Sequence, residues 1–346
     1  MKIIKYILPR LIACVVIIIL SNIIYKNTFW KNDVSKHGDI LENLWVMDKN
    51  AEAIYLGESS NFYMTEKDTV KYRISSMLND MLPDINLAHV DNSGLHAGTY
   101  LTVINNFDKN NDIKLLVITL NIRSFGANWR YALGENYLAK TEVMLAEYPI
   151  ILNKFLVSLK NYDYKTDEDR LKEMKLAWQT ETFDVPDFKY HNVNAWDSAM
   201  AWHEWVNTNP NLSEELVPLA CHYVKNFAFK IDTSSNARIH DFDEIMKVAK
   251  KRNYKVVFNL LSENMHEAKM LAGDELIYLI EYNRSLLIDR YETKGAIVVD
   301  NLYTVPDSCF ADRNWPTEHY SKQGKEMIAK KIKEVIQERY LNDNKK

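Results

Sequence analysis

The sequence has little of what breaks a chain: 9 glycines and 8 prolines among 346 residues. So thin a supply argues against many tight turns and for long helices. Cysteine is scarce too. Cys14, Cys221 and Cys309 show no pair spacing of the kind that builds zinc or thioredoxin-like sites, so no structural metal is expected. Charge of one sign never accumulates. The formal net charge is −4 with no long basic run, which removes nucleic acid from the expected partners. No internal repeat or low-complexity tract interrupts the chain. What is present is 47% apolar residues with 20 tyrosines and 8 tryptophans, enough for a full core. The length suits one large domain, or one domain carrying a substantial insertion.

The N-terminus carries the clearest compartment signal. Lys2, Lys5 and Arg10 precede an apolar run at residues 11–24, and Tyr25, Lys26, Phe29 and Trp30 follow it. Basic residues on one side and aromatic ones on the other orient a membrane helix with its N-terminus in the cytoplasm and the remainder outside. The run is short for a span, so residues 3–8 must contribute. No small-x-small cleavage site follows, which favours an uncleaved anchor over residues 1–30 rather than a signal peptide or a buried soluble helix. Residues 31–50 read as a stalk, and no other segment resembles a span. If the domain lies outside the cytoplasm, Cys221 and Cys309 form one disulfide or remain two buried thiols.

Beyond the stalk, strands and helices alternate. Apolar runs at residues 53–56, 85–90 and 114–120 predict strands, with helical spacing over 69–82 and 99–107 between them. From about 126 to 236 the alternation fails, with helical segments at 137–159 and 212–227 around a loop-like stretch, an insertion or lid. It resumes with a helix at 241–251, a strand at 255–261, a helix at 272–291, a strand at 296–299 and a closing helix from 321. Alternation of this kind predicts an α/β fold with a parallel sheet over residues 51–340.

Ligands of open parallel sheets sit at the carboxyl ends of the strands. The first strand ends in Gly57-Glu58-Ser59-Ser60-Asn61, the second is followed by a loop containing Gly94, His96 and Gly98, and the third by Asn121-Ile122-Arg123. Near the C-terminus, His319 stands between carboxylates, Asp312 and Glu318, just before the last helix. A serine nucleophile needs a base for its proton and an acid to hold the base's tautomer, and its oxyanion needs donors. Ser59, with Ser60 as the alternative hydroxyl, His319, and the donors near Gly98 and Asn121 are of those types. Each also has a plainer reading, as a helix cap, a loop residue or turn chemistry. His96 is left outside the expected site. Trp178, Trp196, Trp202 and Trp205 read as a small satellite core rather than a sugar-stacking lid.

The order Gly-x-Ser, Gly, Asn, His resembles the four blocks of the SGNH/GDSL hydrolase superfamily. That resemblance implies a three-layer, flavodoxin-like sandwich, Ser59 and His319 as nucleophile and base, and Gly98 and Asn121 as oxyanion donors. It implies no cofactor. Two departures stand out. The usual Gly-x-Asn-Asp is here Leu120-Asn121-Ile122-Arg123, which makes Arg123 a candidate for binding an anionic substrate. The usual Asp-x-x-His would put the acid at Pro316, so the acid is Asp312 or Glu318. Asp312 is preferred, because an adjacent residue rarely folds back onto its neighbour's ring. With the anchor, the layout is similar to envelope-modifying members, the protein that transfers D-alanine to teichoic acids among them. The expected activity is therefore an extracytoplasmic esterase or O-acyltransferase acting on acylated glycan or lipid-linked polysaccharide, with a membrane acyl-donor protein as a candidate partner; the alternative is a non-catalytic binding scaffold in an envelope polysaccharide modification or export complex.

Overall fold

A computed structural model of the chain describes residues 2–35, 40, 50–64, 72–107, 111–146, 149–202 and 213–341. Five parallel strands form one sheet: β1 (Ala53–Gly57), β2 (Leu87–Asp91), β3 (Leu115–Leu120), β4 (Lys255–Leu260) and β5 (Ile297–Asp300), in the order β2-β1-β3-β4-β5. Every residue of β1 and β3 is buried, which is why both read as unbroken apolar runs rather than alternating ones.

The period of two along each strand separates two cores. Ile54, Leu56, Leu116, Ile118 and Phe258 point to one face, covered by the helices Ala97–Asn105, Ala237–Arg252 and Met265–Thr293. Ala53, Tyr55, Leu115, Val117 and Val257 point to the other, covered by Ile74–Met81 and Lys322–Ile336. The result is a three-layer α/β sandwich. The chain leaves β1 to one side for β2 and returns to the other for β3, so the strand order reverses between β1 and β3. Their carboxyl ends, Gly57 and Leu120, flank the crevice that such a reversal opens.

Helix boundaries differ from the sequence reading where a local residue intervenes. The apolar stretch 137–159 is two helices, Glu135–Leu145 and Ile150–Ser158, because Pro149 has no N–H to continue the first. The helix expected at 272–291 starts at Met265, where the Asn264 side chain accepts from the Glu267 N–H, and it is kinked at Gly273 with φ 80°. The Val217–Phe227 helix packs on Met265–Thr293, tying this part of the chain to the sandwich. Trp178 and Trp196 both pack in the large core rather than in a separate satellite one. Trp196 is fully buried against Phe183 and Phe188, whereas Trp202 is 84% exposed, and Trp205 lies outside the described residues. Cys221 and Cys309 are buried, unpaired thiols.

At the N-terminus, Lys2–Thr28 is one continuous helix. Its stretch Tyr6–Thr28, 23 residues, is long and apolar enough to cross a membrane. At 1.5 Å per residue it spans about 34 Å, enough for a hydrocarbon core. Most of the expected stalk lies outside the described residues.

Candidate active site

Gly57 ends β1 in contact too close for any side chain: a Cβ there would meet Tyr55 Cε1 at 2.8 Å and Asn61 Cβ at 3.0 Å. The chain then turns into a short helix, Ser59–Phe62, capped by the Glu58 side chain, which accepts from the Ser60 N–H at 3.3 Å. Asn61 ties this helix to the sheet, donating to Asp91 at the end of β2 and to Ser75 Oγ at 3.0 Å. Ser59 is thereby left half-buried at the lip of the crevice, while Ser60 is fully buried.

Ser59 Oγ lies 3.0 Å from His319 Nε2 and 3.3 Å from Glu58 Oε2. His319 Nδ1 is 2.6 Å from Asp312 Oδ2. An ionised carboxylate only accepts, so Nδ1 carries the proton and Nε2 is free to accept from Ser59. Burial pushes Asp312 up, but hydrogen bonds from Thr317, His319 and Tyr63 outweigh it and hold the carboxyl below its usual range. Burial lowers His319 below the ordinary imidazole value, against the opposing pull of Asp312. The histidine is neutral at pH 7, as a base must be.

The Asp312–His319 spacing of seven residues has a local cause. Phe310 and Tyr320 pair as an antiparallel bridge, and the Ala311 N–H donates to the His319 carbonyl at 2.7 Å. The loop closes on itself and brings Asp312 and His319 together. Tyr63, which the sequence reading missed, braces both partners. Its ring stacks on the imidazole at 3.7 Å and 7°, and its hydroxyl donates to Asp312 Oδ1 at 3.0 Å. No motif signals it; only its place four residues after Ser59, at the C-cap of the Ser59–Phe62 helix, does.

Three expectations need correction. Glu318 is not the acid: it is buried and ion-paired with Arg123. Arg123 in turn is not presented to a substrate. It is 6% exposed, its Nη groups are spent on Glu318 and the Pro316 carbonyl, and its guanidinium lies 4.7 Å from the Trp129 ring. It fastens the histidine loop to the end of β3. Gly98 is not a free donor either, because its N–H caps its own helix through His96 Nδ1 at 3.2 Å. In the same loop, Gly94 has φ +71° and would place a Cβ 3.8 Å from Trp129, the ring beneath Arg123. Its N–H has no partner among the described residues. Asn-Ser-Gly at 92–94 was the available signal, a turn pattern that favours positive φ at the glycine.

Asn121 Oδ1 accepts from the Arg123 N–H at 2.9 Å, so its Nδ2 faces the other way and donates to no described residue. Beneath the serine, Glu58, Glu263 and Glu318 surround the one Arg123 guanidinium. Burial first, and the Glu318 charge second, raise both Glu58 and Glu263. Both shifts run in the direction that opposes a surplus of buried negative charge.

No family profile matches the sequence, and no curated protein does. Solved structures similar to this chain include three of SGNH/GDSL type. A protein provisionally assigned as an SGNH hydrolase, from Slackia heliotrinireducens, aligns at 9% identity and TM-score 0.36 over 83% of this chain and 99% of that one. A provisionally assigned acylhydrolase from Bacteroides fragilis aligns at 11% and 0.33, over 87% and 94%. A GDSL-like lipase from Bacteroides thetaiotaomicron aligns at 10% and 0.36, over 90% and 98%.

Proposed function

We propose that this chain is a serine esterase or O-acyltransferase of the SGNH/GDSL type, held at a membrane by its N-terminal helix and acting outside it on acyl esters of envelope polysaccharide. The observation that carries the chemistry is the relay from Ser59 Oγ through His319 to Asp312, with contacts of 3.0 and 2.6 Å. In the first half-reaction His319 Nε2 takes the Ser59 proton as Oγ attacks the acyl carbonyl. The tetrahedral oxyanion is received by the Ser59 N–H, Asn121 Nδ2 and the Gly94 N–H, none of which has a partner among the described residues. Collapse expels the alcohol, which leaves with the proton from His319. Water or a sugar hydroxyl then gives its proton to His319, attacks the acyl-serine and restores the hydroxyl.

The location rests on the length of Tyr6–Thr28 and on Lys2, Lys5 and Arg10 at its start. The scaffold alternative drew on the missing Asp-x-x-His and the altered third block; the 2.6 Å contact of Asp312 with His319 speaks against the first of these. Turnover of a short-chain aryl acetate by the full chain in detergent, against Ser59→Ala and His319→Ala, tests the reading. Loss in both variants with the fold intact supports it. Equal turnover in wild type and Ser59→Ala would sink it.

A further inference from the structure

Helix Ile150–Ser158 is apolar on two sides, yet among the described residues only one side is covered. Asn153 is buried and donates to the Met144 and Ala146 carbonyls at 3.3 and 2.8 Å, and Val157 packs with Met144, Leu145 and Trp30. The opposite edge, Leu152, Phe155 and Leu159, is 36%, 58% and 76% exposed. Residues three and four apart share a helix face, so these form one stripe.

The same helix is fastened to the membrane-length helix. The Ile151 N–H donates to Asn22 Oδ1 at 3.1 Å, and Lys154 pairs at 2.6 Å with Asp33, which also accepts from Tyr25 at 2.8 Å. Asn22 lies six residues before the end of Tyr6–Thr28, about 9 Å along the axis at 1.5 Å per residue. The start of the 150–158 helix thus sits at the depth where amphipathic helices bury an apolar face, roughly 5–10 Å into the boundary between headgroups and acyl chains. Tyr25, Phe29 and Trp30 mark the same level, as interfacial aromatics do. Beyond the stripe, Lys160 lies 3.9 Å from the Tyr164 ring, a cation and an aromatic suited to headgroups.

We propose that helix 150–158 is a second, monotopic membrane contact, with Leu152, Phe155 and Leu159 set into the phospholipid bilayer beside the anchor. The anchor and this helix then fix the tilt of the catalytic domain over the lipid, where a single tether would let it swing. The inference rests on Tyr6–Thr28 being the anchor. Spin labels on the full chain in phospholipid vesicles test it, in a Cys14→Ser background that leaves only two buried cysteines. Labels at Phe155→Cys and Leu159→Cys should be relaxed severalfold more by oxygen than by an aqueous nickel chelate. Leu176→Cys, at an exposed leucine on a different helix, should show the reverse. Retained ester turnover shows that each variant is folded. Water-like signals at 155 and 159, with a lipid-like signal at Val16→Cys, overturn the second contact and leave the anchor standing. A water-like signal at Val16→Cys removes the anchor and this inference with it. Protection from both relaxers at 155 and 159 overturns it in favour of a protein interface.

Discussion

Two buried polar networks in this chain each hold a histidine among carboxylates and one arginine, and they put the ring to opposite uses. At the crevice, His319 Nδ1 faces Asp312 and Nε2 faces Ser59. Between the helices Ala97–Asn105, Glu135–Leu145 and Ala237–Arg252, His96 Nδ1 accepts from the Gly98 N–H at 3.2 Å and from Arg238 at 2.8 Å. That leaves the ring proton on Nε2, 3.3 Å from Glu135. Burial, then the Arg238 charge, push His96 down to about 4. A histidine whose Nδ1–H donates a hydrogen bond to a carboxylate keeps Nε2 as a base. One whose Nδ1 is capped by donors is a fixed acceptor, and it serves packing. The neighbours of Nδ1, more than the residue type, separate chemistry from architecture.

The largest break in this comparison comes at the crevice. Ser59→Ala or His319→Ala should lower kcat/KM for an acyl ester by about 10⁴-fold or more, and Asp312→Asn by about 10³–10⁴-fold in kcat, each measured at unchanged melting temperature. His96→Ala, by contrast, should leave kcat within about twofold and lower stability by about 1–3 kcal/mol in urea titration, since it leaves Arg238 and the Gly98 N–H short of an acceptor. Arg123→Met combines the two. Stranding Glu318 without its partner should destabilise by about 3–5 kcal/mol, and the loosened histidine loop should lower kcat more than it raises KM. The pH profile sharpens the contrast. His319 must be neutral to act, so activity is full at high pH and lost as pH falls through its pKa, which burial holds below the ordinary ~6.5. Asp312→Asn removes a partner that raises it, and the acid limb should move lower still. Smallest among the crevice variants is Tyr63→Phe, which keeps the stacked ring and deletes one hydrogen bond to Asp312. A loss of about 1 kcal/mol, roughly fivefold in kcat, is expected.

The strands were legible because a buried parallel sheet writes itself as continuous apolar runs, each ending at a polar or glycine residue such as Gly57, Asp91 or Asn121. Ser59, His319 and Asp312 were legible for a related reason: strand ends and the segment before the last helix are where a parallel sheet gathers side chains. The donors were not. Gly94 and Gly98 stand four residues apart in one loop, and only the backbone angle of the first and the helix cap made by the second tell them apart. The role of Arg123 was hidden because its partner Glu318 is 195 residues away. Tyr63 acts through ring stacking, which leaves no periodicity. Pro149 was visible but was outweighed by the apolar spacing around it.

The loop closed by Phe310 and Tyr320 makes Asp312 and His319 a single cassette, while Ser59, the proposed nucleophile, is encoded 260 residues before His319. At about 5–20 residues per second, a ribosome makes the serine roughly ten seconds to a minute before its partner exists. Throughout that interval the nascent chain carries an ordinary hydroxyl. On the proposed reading, the C-terminal loop completes the site at the moment the final helix docks against the sheet.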